Sequence, residues 1–447
     1  MFRRNPAKSA CSLAWTTSAV LAAVLLFPPR VLAGTAGVGW DETIAAKSVK
    51  PGTVAGLAKL YDSGPCAECH RGIYDQWRKS THSASMFNGG RMTAALRKFI
   101  LEGLVRWPSS GVKAPGDVKV KHLMVCAKCH LPQLADATDE VAREILETIE
   151  TWQGAIDGND PKTRDQAAEK LSSLNIGCLL CHNRNAVIHK LVDGYPAAGA
   201  VYGNREGAHP GSFAVMKKGE SLGESIFCGQ CHGYGPNFDL ENPVQCATAY
   251  GSYLFAYVRG GGGETCQDCH MRKNRLGHNM QGASEPVMDN AALDVATEVR
   301  GYLWKDVSTY VPRVVVEVSL TNRAGHAIPE GPPSSKRLAL EVTATGGNND
   351  APLFSETRNY RAVSMRFGRS GLMGEGPHEN SGFTDDTSLP PLQAVRERFD
   401  FVAKSEDIAG GRVVVRVRIR QLEDGALDSG APDWYEFRKE LKMEKYP

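Results

Sequence analysis

Cys66-Ala67-Glu68-Cys69-His70 is the first of five stretches that share one pattern. It is followed by Cys126-Ala127-Lys128-Cys129-His130, Cys178-Leu179-Leu180-Cys181-His182, Cys228-Gly229-Gln230-Cys231-His232 and Cys266-Gln267-Asp268-Cys269-His270. Two thiols three residues apart lie on one face of a helical turn. From there they reach the two vinyl groups of a single porphyrin, and the next histidine turns under the ring to ligate its iron. A shuffled chain of this composition would carry about 0.01 such motifs, so the set reads as five covalently bound haem c groups. Zinc half-sites and redox dithiols also use Cys-x-x-Cys. Structural zinc takes two halves per ion, however, and neither explains a His after every pair. Disulfides closing so short a loop would constrain the unfolded chain little.

A haem iron takes two axial ligands. Twelve histidines less the motif residues His70, His130, His182, His232 and His270 leave seven candidates for the second position. His82 follows the first motif closely, His122 lies four residues before Cys126, and His278 lies eight after His270. His189 and His209 fall in a loop-rich stretch between the third and fourth motifs. His326, in Asn322-Arg323-Ala324-Gly325-His326-Ala327-Ile328-Pro329, is far from any motif; reaching back to a haem, it would fasten two parts of the chain together. His378, in a loop rich in Gly, Pro and Asn, reads as solvent-exposed. Met86, Met124, Met271 and Met280 lie near motifs, but methionine is more often core filler than ligand. The expectation is mainly bis-histidine haems.

Residues 1–33 read as a signal peptide: Arg3, Arg4 and Lys8, then an apolar run from Leu13 to Phe27, then Val31-Leu32-Ala33 as a cleavage site. Pro28, Pro29 and Arg30 cut the run short, which argues against a retained anchor. No later segment is apolar enough to span a bilayer, so the expected location is periplasmic or extracellular. The formal charge of +2 over 447 residues leaves no nucleic-acid footprint. Outside Cys11 and the motif cysteines only Cys246 remains, which reads as a buried, inert thiol.

Two regions differ in character. Residues 34–301 carry all the motifs and read as mostly helix and loop with little regular structure. About fifty residues per haem are too few for an ordinary core around each, so the porphyrins must supply much of the interior. The clearest helix starts at Thr138 or Asp139 and aligns Val141, Ile145, Ile149 and Trp152. Gly158 and Pro161 break it, and a second helix with Ala168, Leu171 and Leu174 leads into Gly177-Cys178. From residue 302 to 447 the period becomes two. Val314, Val316, Val318 and Leu320 form one run, Leu338, Leu340 and Val342 a second, and Val413, Val415, Val417 and Ile419 a third. With no cysteine and turns rich in Gly and Pro, this part predicts a C-terminal antiparallel β-sandwich.

The stretch Cys66-Ala67-Glu68-Cys69-His70-x-x-x-Tyr74-x-x-Trp77-x-x-Ser80-x-His82-Ser83 resembles the opening haem segment of multihaem cytochromes related to the nitrifier tetrahaem cytochrome c that partners hydroxylamine oxidoreductase. The resemblance implies that His82 is a distal ligand and that the aromatic pair packs near a haem. Gln245-Cys246-Ala247-Thr248 through Cys266-Gln267-Asp268-Cys269-His270-Met271 is similar to the last haem segment of such proteins. Gly325-His326-x-x-Pro329 and Asp386-Thr387-Ser388-Leu389-Pro390-Pro391 look like the β-domain fused to some of them. This chain adds a fifth motif to the tetrahaem pattern. It has no Cys-x-x-Cys-Lys, so the lysine-ligated haem of pentahaem nitrite reductases is absent.

These readings favour an electron carrier over a catalyst: closely packed haems passing single electrons between a donor and an acceptor protein. Two alternatives stand beside it. One is an oxidoreductase with one open haem acting on a small nitrogen or sulfur oxyanion. The other is a subunit of a conducting filament or complex, in which oligomerisation brings a borrowed histidine.

Overall fold

The computed structural model describes residues 50–87, 91–183, 199–211, 213–233, 249–273, 275–280, 292–330, 336–347, 351–366, 380–403, 408, 411–423 and 433–443. The leader at 1–33, Cys11, His189, Cys246 and His378 lie outside them. Among the described residues no helix is long and apolar enough to cross a membrane.

The first part is helical. Helices α1 (Val54–Leu60), α2 (Gly64–Cys69), α3 (Arg71–Trp77), α4 (Arg91–Lys98) and α5 (Val120–His130) precede a helical hairpin, α6 (Asp139–Asp157) and α7 (Pro161–Ser172). The expected punctuation holds: Thr138 stands at the α6 N-cap and Gly158 at its C-cap. The Asp160 carboxylate accepts from the Thr163 amide at the start of α7, with Pro161 in the first turn, where its missing N–H costs nothing. Val141, Ile145 and Ile149 are fully buried, as is Leu171. Trp152 instead meets Phe87 edge-on at 5.4 Å between ring centres. Ala167, not Ala168, is the alanine that α7 buries. Val141, Ile145, Ile149 and Leu171 belong to a core that also draws on Val54, Leu57, Ile100, Leu123 and Leu134. Protein side chains alone thus form an apolar core here, one that also takes in Ala127 of the second motif.

That core ends at Leu174. Beyond it come α8 (Cys178–His182), a small sheet in which β1 (Ala200–Gly203) runs parallel and β2 (Gly207–Ala208) antiparallel to β3 (Val215–Lys218), then α9 (Ser225–His232) and α10 (Ala249–Ser252). Single π-helical stretches follow at Tyr253–Val258 and Asp268–Lys273. The two large apolar clusters take no buried residue from the described part of this stretch, which holds three of the five motifs and buries only a few apolar side chains such as Leu180, Tyr202, Tyr250 and Tyr257.

The C-terminal part is antiparallel. Strands β4 (Leu293–Asp306), β5 (Thr309–Asn322) and β10 (Ala394–Val402) form one sheet in the order β10-β5-β4. Strands β6 (Lys336–Gly346), β7 (Ala351–Tyr360), β11 (Arg412–Glu423) and β12 (Asp433–Lys442) form a second, ordered β12-β11-β6-β7, and β8 (Ala362–Arg366) pairs with β9 (Asn380–Asp386). The strand region begins at Leu293, ahead of residue 302. Thr297 and Gly301 fall in the same row of β4 as Leu293, Val295, Val299 and Leu303, and they break its apolar run in a periodicity reading.

The three valine- and leucine-rich runs sit on β5, β6 and β11 and share one core. Phe354 of β7 stacks on Phe401 of β10 at 4.5 Å, and the Tyr435 hydroxyl of β12 donates to Thr297 of β4 at 3.0 Å. Outward-facing arginines are paired: Arg313 holds the Asp400 carboxylate through two nitrogens, and Arg418 holds Asp433. The Arg313 hydrogen bonds hold the Asp400 carboxyl below the usual carboxylate range.

Candidate functional site

All five Cys-x-x-Cys-His stretches lie on helical turns, as their spacing requires. The first occupies α2, the second the end of α5, the third α8, the fourth the end of α9, and the fifth the turn entering Asp268–Lys273. In the first four motifs the histidine closes the helix or follows it directly, and in the fifth His270 lies inside the π-helical stretch.

The motifs are packed against one another. The Cys66 sulfur lies beside that of Cys178, Cys231 beside Cys129, and Cys228 beside Cys266. As free thiols, the partnered Cys178 and Cys266 are held below the ordinary thiol value by their sulfur neighbours, whereas burial pushes Cys126 and Cys181 up to about 12. Cys181 is close enough to both Cys228 and Cys231 to raise them further by charge. Motif one therefore abuts motif three, and motif four lies beside motifs two, three and five.

Two of these junctions use the same device. The Cys178 amide donates to the Ser63 hydroxyl at 3.0 Å, and the Cys266 amide donates to Ser225 at 3.1 Å. Each serine lies three residues ahead of the first cysteine of the neighbouring motif, so one motif caps the helical turn of the next. Gly229, inside the fourth motif, lets the backbone approach the Tyr250 ring; a Cβ there would sit 2.4 Å from it.

Four motif histidines each face one distant histidine. Ring centres are 6.2 Å apart for His70 and His209, 6.2 Å for His232 and His82, 6.1 Å for His182 and His278, and 6.3 Å for His270 and His326. Metal–imidazole bonds of about 2 Å on either side of one ion, plus about 1.1 Å from each nitrogen to its ring centre, would place two imidazoles about 6.2 Å apart. Axial rings can rotate about the N–metal–N line, so their planes need not agree; here they differ by 13° to 84°.

The hydrogen bonds orient the rings for this role. His182 Nδ1 lies 2.7 Å from the Tyr202 carbonyl, His209 Nδ1 3.2 Å from that of Phe213, and His326 Nδ1 3.0 Å from that of Ala327. A carbonyl only accepts, so each Nδ1 carries the proton and each Nε2 keeps its lone pair for a metal. Burial, reinforced by His232 and His130, lowers His82 to about 4. Burial lowers His278 and His130 as well, helped by His182 and His232 respectively. At His82, His278 and His130 burial thus favours the neutral imidazole, the form that ligates. The donor set thus fits haem iron.

The remaining candidates stand apart. His122 Nδ1 accepts from the Lys119 amide at 3.0 Å as part of the α5 N-terminal cap, and no described motif histidine faces its ring. Several contributors carry no sequence signature: Gln76, whose side-chain Oε1 accepts from the His278 amide at 3.1 Å, the main-chain carbonyls of Tyr202 and Phe213, and Ser63 and Ser225. The Ser-x-x-Cys spacing shared by the two serines was the one available clue.

His82→Ala is expected to leave the haem on His232 without its second ligand. A new high-spin ferric EPR signal is the readout, and an unaltered spectrum would remove His82 from the ligand set.

The fold is that of a multihaem cytochrome. A solved structure of a penta-heme cytochrome c552 from Thermochromatium tepidum is similar over 86% of this chain and 100% of that chain, with a TM-score of 0.55 and 16% sequence identity. A second, the X-ray structure of Northeast Structural Genomics Consortium target SoR45, covers 34% of this chain and 86% of that chain at 11% identity, and its TM-score of 0.17 is too low to bear on the fold. No family model and no curated protein matches the chain.

Proposed function

We propose that this chain is an exported pentahaem c-type cytochrome that relays single electrons between two redox proteins. The carrying observation is the repeated facing of a motif histidine and a distant histidine at 6.1–6.3 Å, which leaves an iron between them no free coordination position. In this reading the cysteines at 66 and 69, 126 and 129, 178 and 181, 228 and 231, and 266 and 269 anchor the haems. His82, His209, His278 and His326 serve as second ligands to the haems of His232, His70, His182 and His270. Bound there, haem c would supply a ferric/ferrous couple.

The protein's part is to hold partners at contact and keep water and small molecules from the iron. Sulfur-to-sulfur packing supports an order of motif one, three, four and five, with motif two branching from four. The likeness of the first haem segment to the nitrifier tetrahaem family, the leader at 1–33 and the pairing of two β-sheets over one core as a sandwich all belong to this reading. Residues 34–301 would then be the haem-carrying part and 302–447 the β-part.

Ferric EPR of the holo-protein tests the carrier assignment. The haems of His70, His182, His232 and His270 are expected to be low-spin and indifferent to added nitrite, hydroxylamine or nitric oxide. A high-spin signal among these four that shifts on addition would instead establish the oxidoreductase.

A further inference from the structure

His326, which the β-part turns toward His270, lies on a short loop that closes around one buried amide. Asn322 ends β5 and is 0% exposed. Its Nδ2 donates to the carbonyl of His326 at 2.8 Å and to that of Leu389 at 2.7 Å, and its Oδ1 accepts from the Ala324 amide at 2.8 Å. Its own carbonyl accepts from the Leu392 amide at 2.8 Å. The segment from Ala324 to His326 is thus wrapped around this side chain. From the opposite side, the Ser252 hydroxyl accepts from the Ala327 amide at 3.0 Å. His326 therefore sits between an anchor in the β-part and one at the end of α10, its Nδ1 turned to the Ala327 carbonyl and its ring 6.3 Å from His270.

We propose that Asn322 is a positioning residue for the second axial ligand of the fifth-motif haem, with Ser252 holding the far end of the same loop. The inference rests on His326 being that ligand. A buried amide with every polar atom paired is a costly feature unless each pairing is kept, since an unmatched donor or acceptor there forfeits its hydration. Here the pairings converge on the main chain of the residue whose ring must stay within bonding range of an iron. A displacement of about 1 Å is enough to weaken such a bond.

Asn322→Asp preserves size and the acceptor toward Ala324, but turns an oxygen toward the two carbonyls that Nδ2 now serves. In holo-protein with a full complement of haems, one haem alone should lose low-spin EPR intensity and shift its midpoint potential. Excess imidazole should restore the signal. Ser252→Ala should affect the same haem to a smaller degree.

Unchanged EPR and potentials in Asn322→Asp, or an equal change at every haem, would overturn the proposal. The first would show no role toward the ligand, and the second a general structural one. If Asn322→Asp yields no holo-protein, Ser252→Ala decides: a shift confined to one haem supports the assignment, and none refutes it. His326→Ala, measured in parallel, separates the two levels. If it leaves every haem low-spin, the ligand assignment itself fails; if it does not, only the role of Asn322 is at issue.

Discussion

Produced in a host that cannot attach haem, the chain is expected to lose its structure between residues 176 and 292 while keeping both flanking parts folded. The reason is the distribution of buried apolar side chains. One cluster spans Val54 to Leu174 and another Leu293 to Met443; the described residues between them contribute to neither. Fully burying a Val, Leu or Ile contributes about 1.5–3 kcal/mol. Each flanking part has many such residues, including Ile145, Ile149 and Leu171 in one and Leu340, Val415 and Ile419 in the other. The intervening stretch has three haem motifs and short elements, so its interior must come from the porphyrins. Limited proteolysis with fragment mapping checks this. Cleavage within 176–292 should be faster by about 100-fold or more in the haem-free chain, because local unfolding then exposes the backbone at almost no free-energy cost. Cleavage spread evenly along the chain, or concentrated after residue 293, would contradict it.

How far this arrangement can be read from residues alone depends on whether the signal is local. The Cys-x-x-Cys-His turns, the helix from Asp139 to Asp157 and the strands around Val316, Leu340 and Val415 are all fixed by short-range spacing, and the structure places them as the spacing requires. The facing of particular histidines is not local. His82 is close in sequence to His70 yet faces His232, while His70 faces His209. His122 is close to Cys126, but proximity to the helix start recruits its ring as a cap instead. Proximity along the chain is therefore a poor guide to ligand pairing. A histidine adjacent to a motif on the same helix projects with that helix, and reaching the opposite face of a haem needs a separate segment. The strand at Leu293 is hidden for another reason: β4 stands at the end of its sheet, and Thr297 and Gly301 break the apolar row that Leu293, Val295, Val299 and Leu303 would otherwise form.

His326→Ala is expected to have the largest effect of any single substitution, because it removes an axial ligand and a tie between two parts of the molecule at once. The His326 ring faces His270 with planes 13° apart, and His326 is the one described candidate ligand that the β-part supplies. Without it the fifth-motif haem keeps only His270. The ferric protein should gain a high-spin signal from a single haem, and the reduced protein should bind one more carbon monoxide per molecule than the wild type. Added imidazole should reverse both changes. Stability should fall as well, since an iron bridging His270 and His326 closes a long loop between the haem-carrying and β-parts. By the chain-entropy estimate, a cross-link of that span contributes up to about 4 kcal/mol. The hydrogen bonds from the Ala327 amide to Ser252 and from the Ala249 amide to Glu330 survive the substitution, so the seam should loosen rather than separate. A melting temperature lowered in the variant and recovered with imidazole would tie the loss to coordination. A stability loss that imidazole leaves untouched would place it in packing, and wild-type carbon monoxide stoichiometry would show that the iron never depended on this histidine.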